Sequence, residues 1–363
     1  MTAHLPPSPP ALLTAPVARM FRRILSGADD GRPPWVRALE QPGDAGWFGP
    51  GSEVWRVHGS LATLVGGVRA LLLQSAHPLA LAGVEQHSDY RADPLGRLQR
   101  TNLFVTTTTF GSTQQATESV RRVRTVHRSV VGRAPDGRPY AANDPHLLLW
   151  VHVALIESML RAAQRYGPGD LDADRYVAET AIIADEFGIP DPPRSEAALA
   201  ATLEAFRPEL VGDEHTREVV RFLLRPPLPA AAQPVYQLLL RAACDLLPDW
   251  GREVLELPRR GAPFRRFDRL AAAVALDTLG LVLGRGSPGE RAARQRIAGS
   301  VEPDASVPGG EVDGDDSRFV AVDPLDLDVV ERVVGRFAQP GADRVGVAAD
   351  LHPLDPDVGM TLG

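Results

Sequence analysis

The sequence has no lysine; all 39 of its basic residues are arginines. That absence excludes a lysine Schiff base, a P-loop lysine and a lysine base or ligand. There is one cysteine, Cys244. A single thiol rules out an intrachain disulfide, a cysteine-based zinc site, an iron–sulfur cluster and Cys-x-x-Cys-His attachment of a c-type haem within this chain. Cys244 sits in an apolar helical pattern and reads as a core residue, not a nucleophile. Net positive charge is missing too: −7 at pH 7 leaves no basic field to attract nucleic acid. No run of eighteen consecutive apolar residues occurs, so no spanning helix is expected. The Pro-rich stretch 1–16 lacks the charged start and apolar run of a signal peptide. These readings lead to the expectation of a soluble, cytoplasmic protein.

Several catalytic signatures are absent as well. Glu-x-x-His, which a di-iron bundle needs on two helices, does not occur. Neither do His-Glu-x-x-His and Gly-x-Ser-x-Gly. A Gly-x-Gly-x-x-Gly match exists at Gly284, Gly286 and Gly289. It follows a helical pattern and contains Pro288, so it reads as a turn and not as a dinucleotide fingerprint.

What is present is a chain of 363 residues, 44% apolar and 23% charged, enough for one large core. Residues 1–15 are Pro-rich and expected to be disordered, with a short helix over 18–26. Trp35, Trp47 and Phe48, within the loop-rich 27–51, are expected to pack on the main body. From Ser52 the apolar period is helical, and Gly66-Gly67 predicts a close approach by another backbone or a flat ligand. Pro78 ends or kinks a helix just after His77. Asp93-Pro94 and Asp144-Pro145 are helix starts, and Ser112–Gln115 can form a capping box. Gly132 and Gly167 are expected helix ends, and Asp136-Gly137 a tight turn. Further helices are placed near 172–187, 195–206, 213–224, 230–247, 264–284 and 288–299. No alternating strand pattern is seen. The fold class is all-α: an N-terminal extension and docking segment over 1–51, a single large helical domain over 52–300, then a flexible acidic linker and tail over 301–363. The linker is 301–322, and a last helix is expected at 325–337.

Five of the nine histidines fall between residues 73 and 167. His127 and His152 stand on the apolar stripes of neighbouring helices, where aliphatics belong. Arg97, Arg100, Thr101, Phe104 and Thr108 share one helix face. A lone histidine on such a face is usually a satisfied core residue. Two of them, beside a face with two guanidiniums, fit a planar macrocycle that needs one axial nitrogen, apolar walls and arginines for its propionates.

The motifs also occur in a recognisable order. They run Gln74-Ser-Ala-His77-Pro, Gly83-Val84-x-x-His87-Ser88-x-Tyr90, Asp93-Pro94-x-x-Arg97-x-x-Arg100-Thr101, His127, Asp136-Gly-Arg-Pro-Tyr140 and Asp144-Pro145-x-Leu-Leu-x-Trp150-Val-His152. This string resembles the MpaB-type oxygenase family, which includes the latex-clearing proteins. The resemblance covers roughly residues 50 to 290. It implies an all-helical domain enclosing a haem-type pocket, non-covalent haem b, and attack by dioxygen on an isoprenoid or other alkene. It makes His127 the iron ligand, places Arg97 and Thr101 near the haem, and gives His152 a structural or supporting role. His77 and His87 would shape or support the pocket. Arg100 falls where latex-clearing proteins have a distal lysine, so it stands as a charged donor instead. Arg97, Arg100 and Thr101 are the expected catalytic set. The implied partners are a small apolar substrate, dioxygen and an electron donor. Two other readings stay open: a non-enzymatic haem or hydrophobic-ligand binding protein, and a helical scaffold whose histidines are core residues.

Overall fold

The computed structural model describes residues 9–299, apart from residue 285. The acidic stretch 301–322 and the expected helix 325–337 lie outside the described residues. The described residues form fifteen α-helices, one 3-10 turn (Arg207–Glu209) and a two-stranded ribbon. The architecture is all-α.

Its centre is the pair α4 (Ala62–Gln74) and α8 (Pro145–Tyr166). Helix α8 is long and apolar enough by composition to cross a membrane, yet 72% of that window is buried inside the fold. It is therefore a core helix, with Trp150, Val153, Ala154 and Leu160 fully buried. The Asp144 carboxylate caps it by accepting from the His146 amide, and Gly167 ends it. Gly66 explains how the two helices meet. A β-carbon there would lie 2.8 Å from Met159 Sδ and 3.1 Å from the Ser158 carbonyl oxygen. At Gly66 the close approach is therefore by a neighbouring backbone, while nothing lies within 4 Å of a β-carbon at Gly67. Gly66→Val is expected to destabilise the fold by about 1–3 kcal/mol through overpacking. A urea midpoint unchanged from wild type contradicts this packing account.

Arg69 of α4 is almost wholly buried at the same contact. Its guanidinium donates to Ser158 Oγ (2.7 Å), to the Leu246 carbonyl (2.9 Å) and to Glu157, its buried counter-ion. The inner surface of the fold is thus part apolar, part closed ion pair.

Around this pair the chain folds as its caps dictate. α5 (Pro78–His87) turns away from α4 by 104°, with Pro78 in its first turn. α6 (Pro94–Phe110) is capped by Asp93, and α7 (Thr113–His127) by a capping box of Ser112 and Gln115. α9 (Ala173–Phe187), α10 (Glu196–Ala205), α11 (Glu214–Leu224), α12 (Gln233–Leu246), α13 (Asp249–Val254), α14 (Ala262–Leu283) and α15 (Pro288–Gly299) complete the body. Gly284 and Gly286, at φ +90° and +71°, form the turn from α14 to α15. The glycine-rich match is a helix–helix connection, as expected.

The N-terminal segment differs from the expectation. α1 (Pro9–Ser26) begins well before residue 18, and Ala18, Phe21 and Ile24 are buried. α2 (Pro34–Ala38) and α3 (Glu53–His58) are short. Phe48 joins the main apolar cluster, with Trp35 and Trp47 packed against it. Arg296 of α15 fastens this segment by donating to the carbonyls of Leu39 (2.7 Å), Asp44 (3.0 Å) and Phe110 (2.8 Å).

One further expectation is corrected. Gly132 does not end α7, which stops at His127. Val131–Arg133 (β1) instead pairs antiparallel with Pro139–Ala141 (β2), closed by Asp136-Gly137 with Gly137 at φ +86°. The β-branched Val130-Val131 suits extended backbone. Gly132 lies under Tyr140, whose hydroxyl would stand 2.6 Å from an added β-carbon. That hydroxyl donates to Gln86 Oε1 (2.7 Å), so the ribbon is tied to the end of α5.

Candidate functional site

Two imidazoles meet the last turn of α9. His127, the final residue of α7, lies over Phe187, with ring centroids 6.5 Å apart and planes 30° from parallel. Phe187 also contacts Phe104 of α6, at 5.9 Å. His127 Nδ1 is buried and has no hydrogen-bond partner. Burial lowers the pKa of this imidazole, a shift that the Ala142 backbone partly opposes, so its neutral form dominates at pH 7. A neutral imidazole with an unengaged nitrogen is what a metal ligand requires.

His152 is buried midway along α8, and it makes no hydrogen bond among the described residues. Burial pushes its pKa down to about 4, against the pull of the Asp185 carboxylate on α9. His58 behaves alike: its ring contacts Thr109 Oγ1 (2.8 Å) and Tyr176 Oη (3.0 Å), hydroxyls that cannot offset a charge, and its pKa is also about 4. Both are neutral when folded and titrate near 6.5 when unfolded. Between those values the unfolded chain binds more protons. Stability is therefore complete above pH 6.5 and is lost as the pH falls towards 4, by up to about 1.4 kcal/mol per pH unit per histidine. Urea midpoints at pH 7 and pH 5 check this; equal midpoints contradict it.

The second group surrounds the α5–α6 junction. Arg97 is half-buried, donates to Ser88 Oγ (2.7 Å) and lies 5.9 Å from the Tyr90 ring. No carboxylate pairs with it among the described residues. Burial first, then the neighbouring Arg100, lowers its pKa from the usual arginine value. A partly desolvated guanidinium without a counter-ion is a site for an anionic group. His87 lies against Tyr140, ring centroids 6.2 Å apart. His87 Nε2 and Tyr90 Oη are both buried and unpartnered.

The ribbon joins the two groups. Val130, just past His127, packs with Tyr140, and its backbone carbonyl accepts from the Ala142 amide at 2.9 Å. Among the described residues, four of the ten buried side-chain polar atoms without a partner fall in this one region: His87 Nε2, Tyr90 Oη, His127 Nδ1 and Asn143 Oδ1. Native folds rarely leave such atoms unmatched. Such atoms are places at which a ligand with polar edges could bond. No cluster of three or more histidine, cysteine or acidic side chains that could hold a metal by itself occurs among the described residues.

The remaining sequence candidates lie differently. Arg100 is exposed and ion-paired with Asp93 at 3.3 Å. Thr101 is exposed and donates to the Arg97 carbonyl at 3.1 Å. The shared face of α6 thus runs from an open end at Arg100 and Thr101 to a half-buried Phe104 and a buried Thr108. His77 stands apart from both groups. Its Nδ1 caps α5 by accepting from the Ala80 amide, and its Nε2 faces Glu209 Oε2 at 3.5 Å. Trp150 and Phe206 pack on its ring. His146 shares the same Glu209, at 2.8 Å.

Sequence reasoning missed Phe187, Phe104's partner, and Asp185. Both sit some 60 residues after His127 with no motif to mark them; only the docking of α9 on α7 and α8 brings them in.

A family model described as ER-bound oxygenase mpaB/B'/rubber oxygenase, catalytic domain, matches residues 55–276, more than half of the chain and all of both groups. No curated protein and no solved structure matches the chain at a significant level. The chain belongs to the mpaB/rubber oxygenase catalytic-domain family, and so to the oxidoreductases that use oxygen.

Proposed function

We propose that this oxygenase depends on non-covalent haem b, ligated by His127, and acts with dioxygen on a small apolar alkene, isoprenoid in character. One observation carries the reading: the buried His127 imidazole has a ring nitrogen without a partner and lies against the Phe187 ring. Haem b, when bound, supplies the redox chemistry that puts dioxygen onto an alkene carbon.

The chain's own residues do the rest. His127 offers its lone pair because burial keeps it unprotonated. Phe104 and Phe187 exclude water and fit an apolar substrate. Arg97, steadied by Ser88 and Tyr90, holds a propionate. His87 and Tyr90 supply polar edges. Arg100, a guanidinium at the open end of α6, serves as a charged donor and not as a ligand. The Thr101 hydroxyl, donating to the Arg97 carbonyl, can also accept a hydrogen bond from a water or substrate hydroxyl at this end. His152 stiffens the inner wall beside Asp185. An electron donor completes the set of partners.

Arg97→Gln keeps a donor near Ser88 and removes the charge. It is expected to weaken haem binding about tenfold, or ~1.4 kcal/mol. Haem titration followed by absorbance measures this; an unchanged affinity takes Arg97 out of the cofactor site. Oxygen uptake with candidate alkenes tests the enzyme reading itself. A haem-loaded protein that consumes no oxygen with any alkene favours a binding protein instead.

A further inference from the structure

Helix α14 is apolar on both sides. Ala272, Leu276 and Leu279 on its inner side are buried. Its outer side carries Phe267, Leu270, Val274 and Leu281, exposed at 65%, 66%, 56% and 87%. At helical spacing these four fall in one strip roughly 60° wide. A helix that is apolar all round is ordinarily covered all round, and an exposed apolar strip of this length marks an interaction surface.

Charge shows what fits it. Arg266 and Asp277 border the strip on the same flank, three turns apart, the first towards the N-terminal end and the second towards the C-terminal end. Both are exposed, and neither has an ion-pair partner among the described residues. Nearby arginines do have partners: Arg260 pairs with Asp268, and Arg265 and Arg269 with Asp245. We propose that the strip is the contact between two copies of this chain, α14 against α14, antiparallel about a twofold axis. The strip then meets its own reverse, and each Arg266 end faces the Asp277 end of the other copy, twice over. In a parallel pairing these flanks lie on opposite sides of the seam, and neither charge gains a partner across it. A lipid surface fits less well, because the Asp277 carboxylate beside the strip would be desolvated and repelled by anionic headgroups.

Sedimentation velocity of the full chain, over a micromolar concentration series, tests this. The wild type is expected to dimerise and Leu270→Glu to be monomeric. Arg266→Glu or Asp277→Arg alone weakens the dimer by about tenfold, and the double reversal restores it. These are surface positions, so circular dichroism should show an unchanged fold. A monomeric wild type overturns the proposal, as does a dimer indifferent to Leu270→Glu. So does a chain that stays monomeric while α14 binds anionic phosphatidylserine vesicles.

Discussion

His127→Gly is expected to leave a folded protein that no longer retains haem. The imidazole sits at the end of α7, with Nδ1 unpartnered, so the hydrogen bonding lost is confined to the ring's contact with the Ala142 backbone. Its packing on Phe187 is a single tilted ring contact. Loss of stability should therefore be small, about 1 kcal/mol. Loss of an iron ligand is not small. The Soret band of the purified protein should fall to background, and oxygen uptake with it. Imidazole added to the glycine variant should restore part of the band, because a free ring can occupy the space beside Phe187. His152→Leu is the control. It removes a buried ring on α8, and haem content should largely survive. A His127→Gly variant with an unchanged spectrum assigns the ligand to another residue.

Arg69→Ala carries the largest expected cost in stability. The substitution leaves Glu157 buried, with Arg161 as its remaining partner, and removes the donor to the Leu246 carbonyl; Ser158 Oγ keeps its bond to the Ala154 carbonyl. Breaking one side of a buried pair costs about 3–5 kcal/mol, a large share of what holds a domain together. Because α4 and α8 are the central pair, the urea transition should shift as a whole. Arg69→Met paired with Glu157→Leu should recover part of the loss, since closing the site with apolar groups removes the stranded charge. If Arg69→Ala unfolds at the wild-type urea concentration, the ion pair is not what joins the two helices.

Much of the fold was legible because its punctuation is local. Asp93, Ser112 and Asp144 announce helix starts through their own side chains, and Pro78 and Gly167 act on their own backbone. Each of these is a matter of a few neighbouring residues, and each holds in the structure. The ribbon was not legible. Three-residue strands carry too little alternation, and Gly132 reads as a helix stop until Tyr140 is seen lying over it. The site divides in the same way. His127 and Arg97 stand out locally, as a polar group on an apolar stripe and a guanidinium on a mixed face. Periodicity put Arg100 and Thr101 on that same face, but it could not tell that this end of α6 is open while Thr108 is covered. That His77 caps α5 shows only once the Ala80 amide is in place. Phe187 and Asp185 are reached through helix packing alone.

The central claim is that the chain binds haem b through its own residues. A pyridine haemochrome assay on wild-type protein produced with excess haem, then freed of unbound haem, tests it most directly. The account predicts about one haem b per chain. Protein that is folded by circular dichroism and carries no haem contradicts it.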